Sequence, residues 1–475
     1  MRWRKALDGA AKSLALSLTV LSLPSPASAQ SVVARDGEKT VFTADSAGAK
    51  VSVIQSGAGV PRIEKAGRIV TYAGDGTVRR AHYPFILAPE AKRALVIGPG
   101  NGEIVGVALS MGAEDVAVVA ESRAMADAAA VMAPAAMKDK RVKTLHGSAA
   151  KWLKSAKGPY DVIVAGLDSQ DTLEDKSAIT VESFAAMKGL LKPAGIAVQW
   201  IHLSSLETDD MRKLAASFAA AFPYVTVWSG DMNPVNSWIA LTGSVQPLLM
   251  DGAGVKKRLE SADRIDMVEW NDPYSFLSFY INDQGGIKAA LDGMAAHTAK
   301  IPSITSPSIT GESEEMRRSA DNFAFWMNYR SPVTEHIKVA EHKDTDLLRT
   351  YFAARSKILN GRKIGLGGAA ADEISWYDKA LKDAPGDPHL ALSYLAIGLA
   401  YYRGGLLDKA AAQLEKAKKI APDRAVIRFY LGKTYEKMEK AALANAEFAE
   451  LKKLAPDYVE RMYLPSRNNG GIPLN

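Results

Sequence analysis

Between about residues 85 and 245 the chain alternates two textures. Short apolar runs, Ala94-Leu-Val-Ile97, Val116-Ala-Val-Val119, Val162-Ile-Val164 and Gly195-Ile-Ala-Val198, are separated by stretches whose apolar positions recur at helical spacing. Glu103–Met111, Ala124–Met132, Val181–Leu191 and Asp209–Phe222 are examples. A strand that is apolar at successive positions must be covered on both faces, as in a parallel sheet sandwiched between helices. The pattern therefore predicts an open α/β sheet across residues 85–245. Tyr224-Val-Thr-Val-Trp228 and Ser237-Trp-Ile-Ala-Leu241 follow one another closely and are expected to close the sheet as an antiparallel edge pair. Upstream, within residues 30–84, Lys50-Val-Ser-Val-Ile54 and Arg68-Ile-Val-Thr71 flank Gly- and Pro-containing turns, which predicts a small β-hairpin module.

Residues 246–344 show no clear period and read as an extension and linker. Ile301–Thr310 is rich in Ser and Pro, and the aromatic segment Phe323–Tyr329 is expected to pack on a neighbouring domain. Residues 345–475 carry a repeat. Gly398, Ala410 and Pro422 are followed 34 residues later by Gly432, Ala444 and Pro456, with Tyr401 and Tyr435 in register. Small residues recurring where two helices touch, with Pro ending the second helix, resemble tetratricopeptide repeats at their 34-residue period. Gly361, Ala380 and Pro385 fit a degenerate earlier repeat with an insertion. Such repeats imply a groove for a protein or peptide partner. A helical cap with no partner is the alternative.

The N-terminus has its own character. Met1-Arg-Trp-Arg-Lys5 is basic, Ser13–Leu23 is apolar, and Pro24-Ser-Pro-Ala-Ser-Ala29 ends in a small-x-small site before Gln30. This is the layout of an export signal over residues 1–29, cleaved after Ala29, with a bacterial periplasm as the expected destination. The apolar run is shorter than the roughly 20 residues that cross a bilayer, so no stable membrane span is expected once the signal is removed. An uncleaved N-terminal anchor is the alternative.

Composition narrows the chemistry. Among 475 residues there is no cysteine, which excludes disulfides, thiolate metal sites and a cysteine nucleophile. Arg2, Arg4, Lys5 and Lys12 against Asp8 account for half of the formal +6, and no Lys/Arg cluster is interleaved with aromatics, so no nucleic-acid partner is expected. His336 and His342 stand beside Glu335 and Glu341 without a metal-ligand spacing, and no metal site is expected. His82 and His202 are candidates either for lining a cleft or for structural hydrogen bonds.

One motif points to a ligand. Arg93-Ala-Leu-Val-Ile-Gly98-Pro-Gly100-Asn101-Gly102-Glu103 is a strand running through a Gly-rich turn into a helix, where backbone can approach a ligand and free amides are presented. The next strand ends at Glu121, whose carboxylate is able to accept both hydroxyls of a ribose. A tight packing turn that binds nothing would show the same glycines.

The order and spacing of Ala94–Glu103, Val116–Glu121, Arg141–Gly147, Tyr160–Val164, Phe184–Gly195 and Val198–Leu203 resemble the spermidine synthase (polyamine aminopropyltransferase) family. The resemblance implies a Rossmann-like class I S-adenosylmethionine methyltransferase sheet over residues 85–245, preceded by the β module and followed by the helical repeats. Ligand-binding candidates are then Gly98, Gly100, Asn101, Gly102 and Glu121. The resemblance implies S-adenosylmethionine or its decarboxylated form as the ligand if the nucleoside site is intact.

The departures from the family are specific. Its Gly-rich turn carries an Asp that holds the cationic ligand, where this chain has neutral Asn101. The Asp near the adenine is replaced by Ser148. The catalytic Asp follows strand four in a run resembling Asp-Ser-Ser-Asp, and without gaps its first and last positions fall on Gly166 and Ser169. The Tyr-His-Glu beside the polyamine becomes Ala81-His82-Tyr83. Aminopropyl transfer needs a carboxylate both to hold a polyamine and to take its proton. Asp168, Asp171 or Glu174 would restore one only after a loop shift, with Asp168 the catalytic candidate. An exported protein would also be separated from the cytosolic sulfonium donor. The expectation is an exported, catalytically degenerate family member that acts as a ligand-binding or protein-interaction module through residues 345–475. An active S-adenosylmethionine- or decarboxylated-S-adenosylmethionine-dependent transferase is the alternative.

Overall fold

The computed structural model describes residues 38–456 apart from 47, 57–60, 73–74, 167–175, 231–236, 262–272, 306–311, 334–335, 339–341 and 367–368. The export signal and Asp168, Asp171 and Glu174 lie outside these described residues. No helix among the described residues is long and apolar enough to cross a membrane.

The N-terminal module has four strands, β1 (Glu38–Ser46), β2 (Ala49–Ser56), β3 (Arg62–Lys65) and β4 (Arg68–Tyr72), in an antiparallel meander. The residue pattern predicts a single hairpin here: β1 leaves no signal because most of its side chains are exposed, and β3 none because Arg-Ile-Glu-Lys is too short to show a period. The buried residues of the module, Val51, Val53, Ile63 and Val70, share one core with Ala124, Met125 and Ala128. The module is therefore fixed to the helix that begins just after Glu121.

The chain continues through α1 (Asp75–Leu87) into β5 (Arg93–Ile97), α2 (Glu103–Ser110), β6 (Asp115–Ala120), α3 (Arg123–Met132), β7 (Val142–His146), α4 (Ala149–Ser155), β8 (Tyr160–Ala165), α5 (Val181–Gly189), β9 (Leu191–His202), α6 (Thr208–Ala221), β10 (Tyr224–Ser229), β11 (Trp238–Ser244), α7 (Pro273–Leu277) and β12 (Tyr280–Asp283). Eight strands form one sheet in the order β12-β10-β11-β9-β8-β5-β6-β7. β5 to β9 are parallel, and the remaining three pair antiparallel. Leu95, Val96, Val116, Val118 and Val162–Val164 are wholly buried, each stabilising the fold by roughly 1.5–3 kcal/mol.

Helix starts follow from local chemistry. The Ser122 hydroxyl accepts from Met125 N at the start of α3, and the Thr180 hydroxyl accepts from Ser183 N at the start of α5. The antiparallel pair β10/β11 is present but is not the edge. β12, from the stretch read as extension, adds outside β10, and its four residues are too few to signal a strand. The aromatic segment is the end of α8 (Glu312–Met327) and the turn after it; the helix packs on the α/β sheet's α6, with Trp326 fully buried and its indole N–H on Met211 Sδ at 3.2 Å.

Six further helices follow: α9 (His342–Leu366), α10 (Ala370–Asp383), α11 (Pro388–Arg403), α12 (Leu407–Ile420), α13 (Ala425–Lys437) and α14 (Ala441–Leu454). They pack as the pairs α9/α10, α11/α12 and α13/α14 around a separate core. The repeated glycines sit where the paired helices touch. A Cβ on Gly361, Gly398 or Gly432 would lie 2.8 Å from Tyr377, 2.8 Å from Leu414 or 2.6 Å from Phe448 respectively. Arg355 of α9 and Asp387, the N-cap of α11, form a fully buried ion pair at 3.1 Å. Arg355 also donates to the hydroxyl of Ser278 just after α7, which ties the helical pairs to the α/β part.

Candidate functional site

The chain order reverses around β5: β6 and β7 extend the sheet on one side, β8 and β9 on the other. In open α/β sheets the crevice outside the carboxyl ends at such a point is where ligands bind. A cleft lies there. Gly98 and Pro99 follow β5, Glu121 follows β6, Gly147 and Ser148 follow β7, and Gly166 follows β8. Its floor is apolar, with Val70, Ile97, Val119, Met125, Ile179 and Met187, and Lys65 reaches in from β3.

Of the candidates in the Gly-rich turn, Gly98 lines this cleft, at φ 77°, with its N–H on Val119 O at 2.9 Å. Asn101 does not line it. The residue is 1% exposed, donates from Nδ2 to Tyr72 O at 2.8 Å, and accepts from Glu103 N at 3.0 Å. Asn101 thus ties the turn to the end of β4 and accepts from the first N–H of α2, so its side chain is engaged within the protein. Gly102 also faces away from the cleft. A Cβ there would stand 2.8 Å from Ala133 Cβ, so this glycine serves helix packing. Gly100, at φ 55°, is buried in the same turn behind the lining residues.

Glu121 is where a ribose carboxylate is expected, with its side chain 45% exposed. Its Oε1 is 2.9 Å from Lys65 Nζ, and the Lys65 side chain is only 16% exposed. This partner was not anticipated from sequence, since a lysine ending a four-residue strand carries no signal of what it will meet. Ser148 caps α4, its hydroxyl 3.5 Å from Lys151 N.

Gly166, where the ungapped reading puts an acid, is closed to side chains. Gly166 has φ 78°, and a Cβ would lie 2.3 Å from Trp200 O and 2.4 Å from Gln199 Nε2. The Gln199 amide itself donates to Trp200 O at 2.9 Å. Among the described lining residues Glu121 is the sole carboxylate, and it is engaged by Lys65.

The other candidates lie elsewhere. Tyr83 points into the core, its hydroxyl 2.7 Å from that of Thr242 and its ring edge-on to Trp200 and Trp228. Burial pushes its pKa well above the usual tyrosine value, only partly opposed by the Thr242 hydrogen bond, so it offers no base. His82 is buried on α1 and lines a separate groove with Gly106 and Ala133. His202 is buried with Nδ1 2.7 Å from the Ser204 hydroxyl, a structural role. His336 pairs with Asp283 at 2.8 Å.

Residues 80–232 match the spermine/spermidine synthase domain. Solved structures similar to this chain include spermidine synthase from Thermotoga maritima, 17% identical over 44% of this chain and 73% of that one with a TM-score of 0.37. A spermidine synthase in complex with the transition-state analogue AdoDATO is 17% identical over 53% and 87% with a TM-score of 0.43. A probable spermidine synthase from Corynebacterium glutamicum is 15% identical over 57% and 100% with a TM-score of 0.40. No curated protein matches the chain. The strand order, the cleft at the reversal point and the domain match agree: the α/β part of this chain has a spermidine synthase-like Rossmann fold.

Proposed function

We propose that this protein keeps the nucleoside cleft of the spermidine synthase-like fold and has lost aminopropyl transfer. The observation that carries the reading is the contrast between two strand ends. Glu121 after β6 presents a carboxylate at the mouth of the cleft. Gly166 after β8, aligned with the family's catalytic acid, has no room for a Cβ. Transfer requires an amine to lose a proton as it attacks the carbon beside the sulfonium, and general-base help is worth about 10²–10⁴-fold. Ribose binding needs only the acceptor and close backbone at Gly98.

The same proposal places the protein outside the cytosol after removal of residues 1–29 and gives the helical pairs, read as tetratricopeptide-type repeats, a protein or peptide partner. Support for the repeats is the 34-residue spacing of Gly398 and Gly432, both of which face the second helix of their pair. S-adenosylmethionine-related nucleosides are the ligand class the cleft would take.

The test is an aminopropyl-transfer assay with decarboxylated S-adenosylmethionine and a diamine, following methylthioadenosine release. No release above the protein-free rate is expected. Turnover would overturn the reading and support the active transferase, and its loss in Asp168→Asn would then identify the base.

A further inference from the structure

Lys65 is held in the cleft by the fold. It ends β3, most of its side chain is buried, and its Nζ is 2.9 Å from Glu121 Oε1. The sheet it belongs to shares a core with α3, the helix that starts two residues after Glu121. Among the described lining residues, Lys65 and Glu121 are the charged ones. A lone carboxylate at this place would give the cleft a negative charge and draw cationic ligands. Lys65 offsets the Glu121 charge there, and an incoming cation meets an ammonium beside the carboxylate. A partly buried pair is screened by salt much less than an exposed one. The carboxylate still has room for a ribose, because its two oxygens offer about four acceptor sites and Lys65 occupies part of them.

We propose that Lys65 sets the ligand class of the cleft, favouring adenosine derivatives whose 5′ substituent is not cationic, a thioether or a phosphate, over sulfonium cations. This rests on the nucleoside reading above and goes beyond it by naming the charge of the ligand and the residue that selects it.

The experiment is calorimetric titration of the full chain with three probes: methylthioadenosine (neutral), 5′-AMP (anionic) and decarboxylated S-adenosylmethionine (cationic). Wild type is compared with Lys65→Met and Lys65→Arg, with melting curves confirming that each variant is folded. Wild type is expected to bind the two non-cationic probes at least about tenfold more tightly than the sulfonium, a scale set by one unit charge at several ångströms in a partly screened site. Lys65→Met should move the sulfonium-to-thioether ratio by about tenfold toward the sulfonium, and Lys65→Arg should keep the wild-type order. If Lys65→Met does not fold, Lys65→Gln, which keeps a polar head at the same place without its charge, takes its part and should move the ratio in the same direction. Sulfonium binding as tight as thioether binding in the wild type overturns the proposal, as does a ratio that Lys65→Met leaves unchanged. Binding without charge discrimination sinks this proposal alone, whereas no binding of any probe sinks the nucleoside reading with it.

Discussion

Placing an acid at residue 166 is the perturbation that bears most directly on the proposed loss of aminopropyl transfer. In Gly166→Asp the new Cβ would be 2.3 Å from Trp200 O, a backbone atom of β9 that cannot step aside without distorting the sheet. It would also stand 2.4 Å from the Gln199 amide, which holds a buried hydrogen bond to the same carbonyl. The left-handed backbone, at φ 78°, adds a penalty of roughly 1–2 kcal/mol for any residue with a Cβ. Overpacking typically costs about 1–3 kcal/mol more. The loss should therefore be about 2–5 kcal/mol. At about 2–4 °C per kcal/mol for a unit of this size, a loss near 3 kcal/mol lowers the melting temperature by roughly 6–12 °C. Circular dichroism melts of wild type, Gly166→Ala and Gly166→Asp measure it. Because the clash is at Cβ, the alanine variant should show most of the loss. An aspartate variant that melts within about 2 °C of wild type, or one that gains aminopropyl transfer, would refute the argument.

Other outcomes follow from groups buried in and beside the helical pairs. Arg355→Met leaves Asp387 buried without its cation and should cost about 3–5 kcal/mol in urea unfolding, with Arg355→Met/Asp387→Asn recovering part of that loss. His389 is fully buried, neither ring nitrogen has a hydrogen-bond partner among the described residues, and burial with Arg355, Arg362 and Arg79 nearby holds its pKa well below the usual histidine value. Its stabilising effect is complete above the unfolded value of about 6.5 and is lost as the pH falls below it. Glu373 runs the other way: burial, opposed by the Tyr377 hydrogen bond, lifts it to about 6, so its contribution is present below the unfolded range and lost as the pH rises through that value. Relative to wild type, His389→Phe should reduce the fall in melting temperature between pH 6.5 and 4.5, and Glu373→Gln should steepen it. Equal slopes in all three proteins would contradict both assignments.

Much of the sheet was legible because its central strands are apolar on both faces, and Glu121 was legible because a carboxylate ending such a strand stands at the crevice. β7 was harder to see. Four of its five residues, Lys143 to His146, are exposed, so neither an apolar run nor an alternation marks it as a strand. The contact of Asn101 was not legible, because an amide in a Gly-rich turn looks alike whether it meets a ligand or, as here, bridges to the carbonyl of Tyr72 on a different strand. Lys65 was invisible for the same kind of reason. Its meaning comes from the docking of the N-terminal sheet on α3, a non-local event that no short pattern encodes. The glycines at 398 and 432 were legible because a helix crossing imposes a local size limit that recurs with the repeat.

The most direct measurement is calorimetric titration of wild type and Glu121→Ala with methylthioadenosine, each shown to be folded by its melting curve. Saturable micromolar binding that Glu121→Ala abolishes is the predicted result. No heat at millimolar ligand, or binding that Glu121→Ala leaves intact, would contradict the claim that the nucleoside cleft survives around this carboxylate.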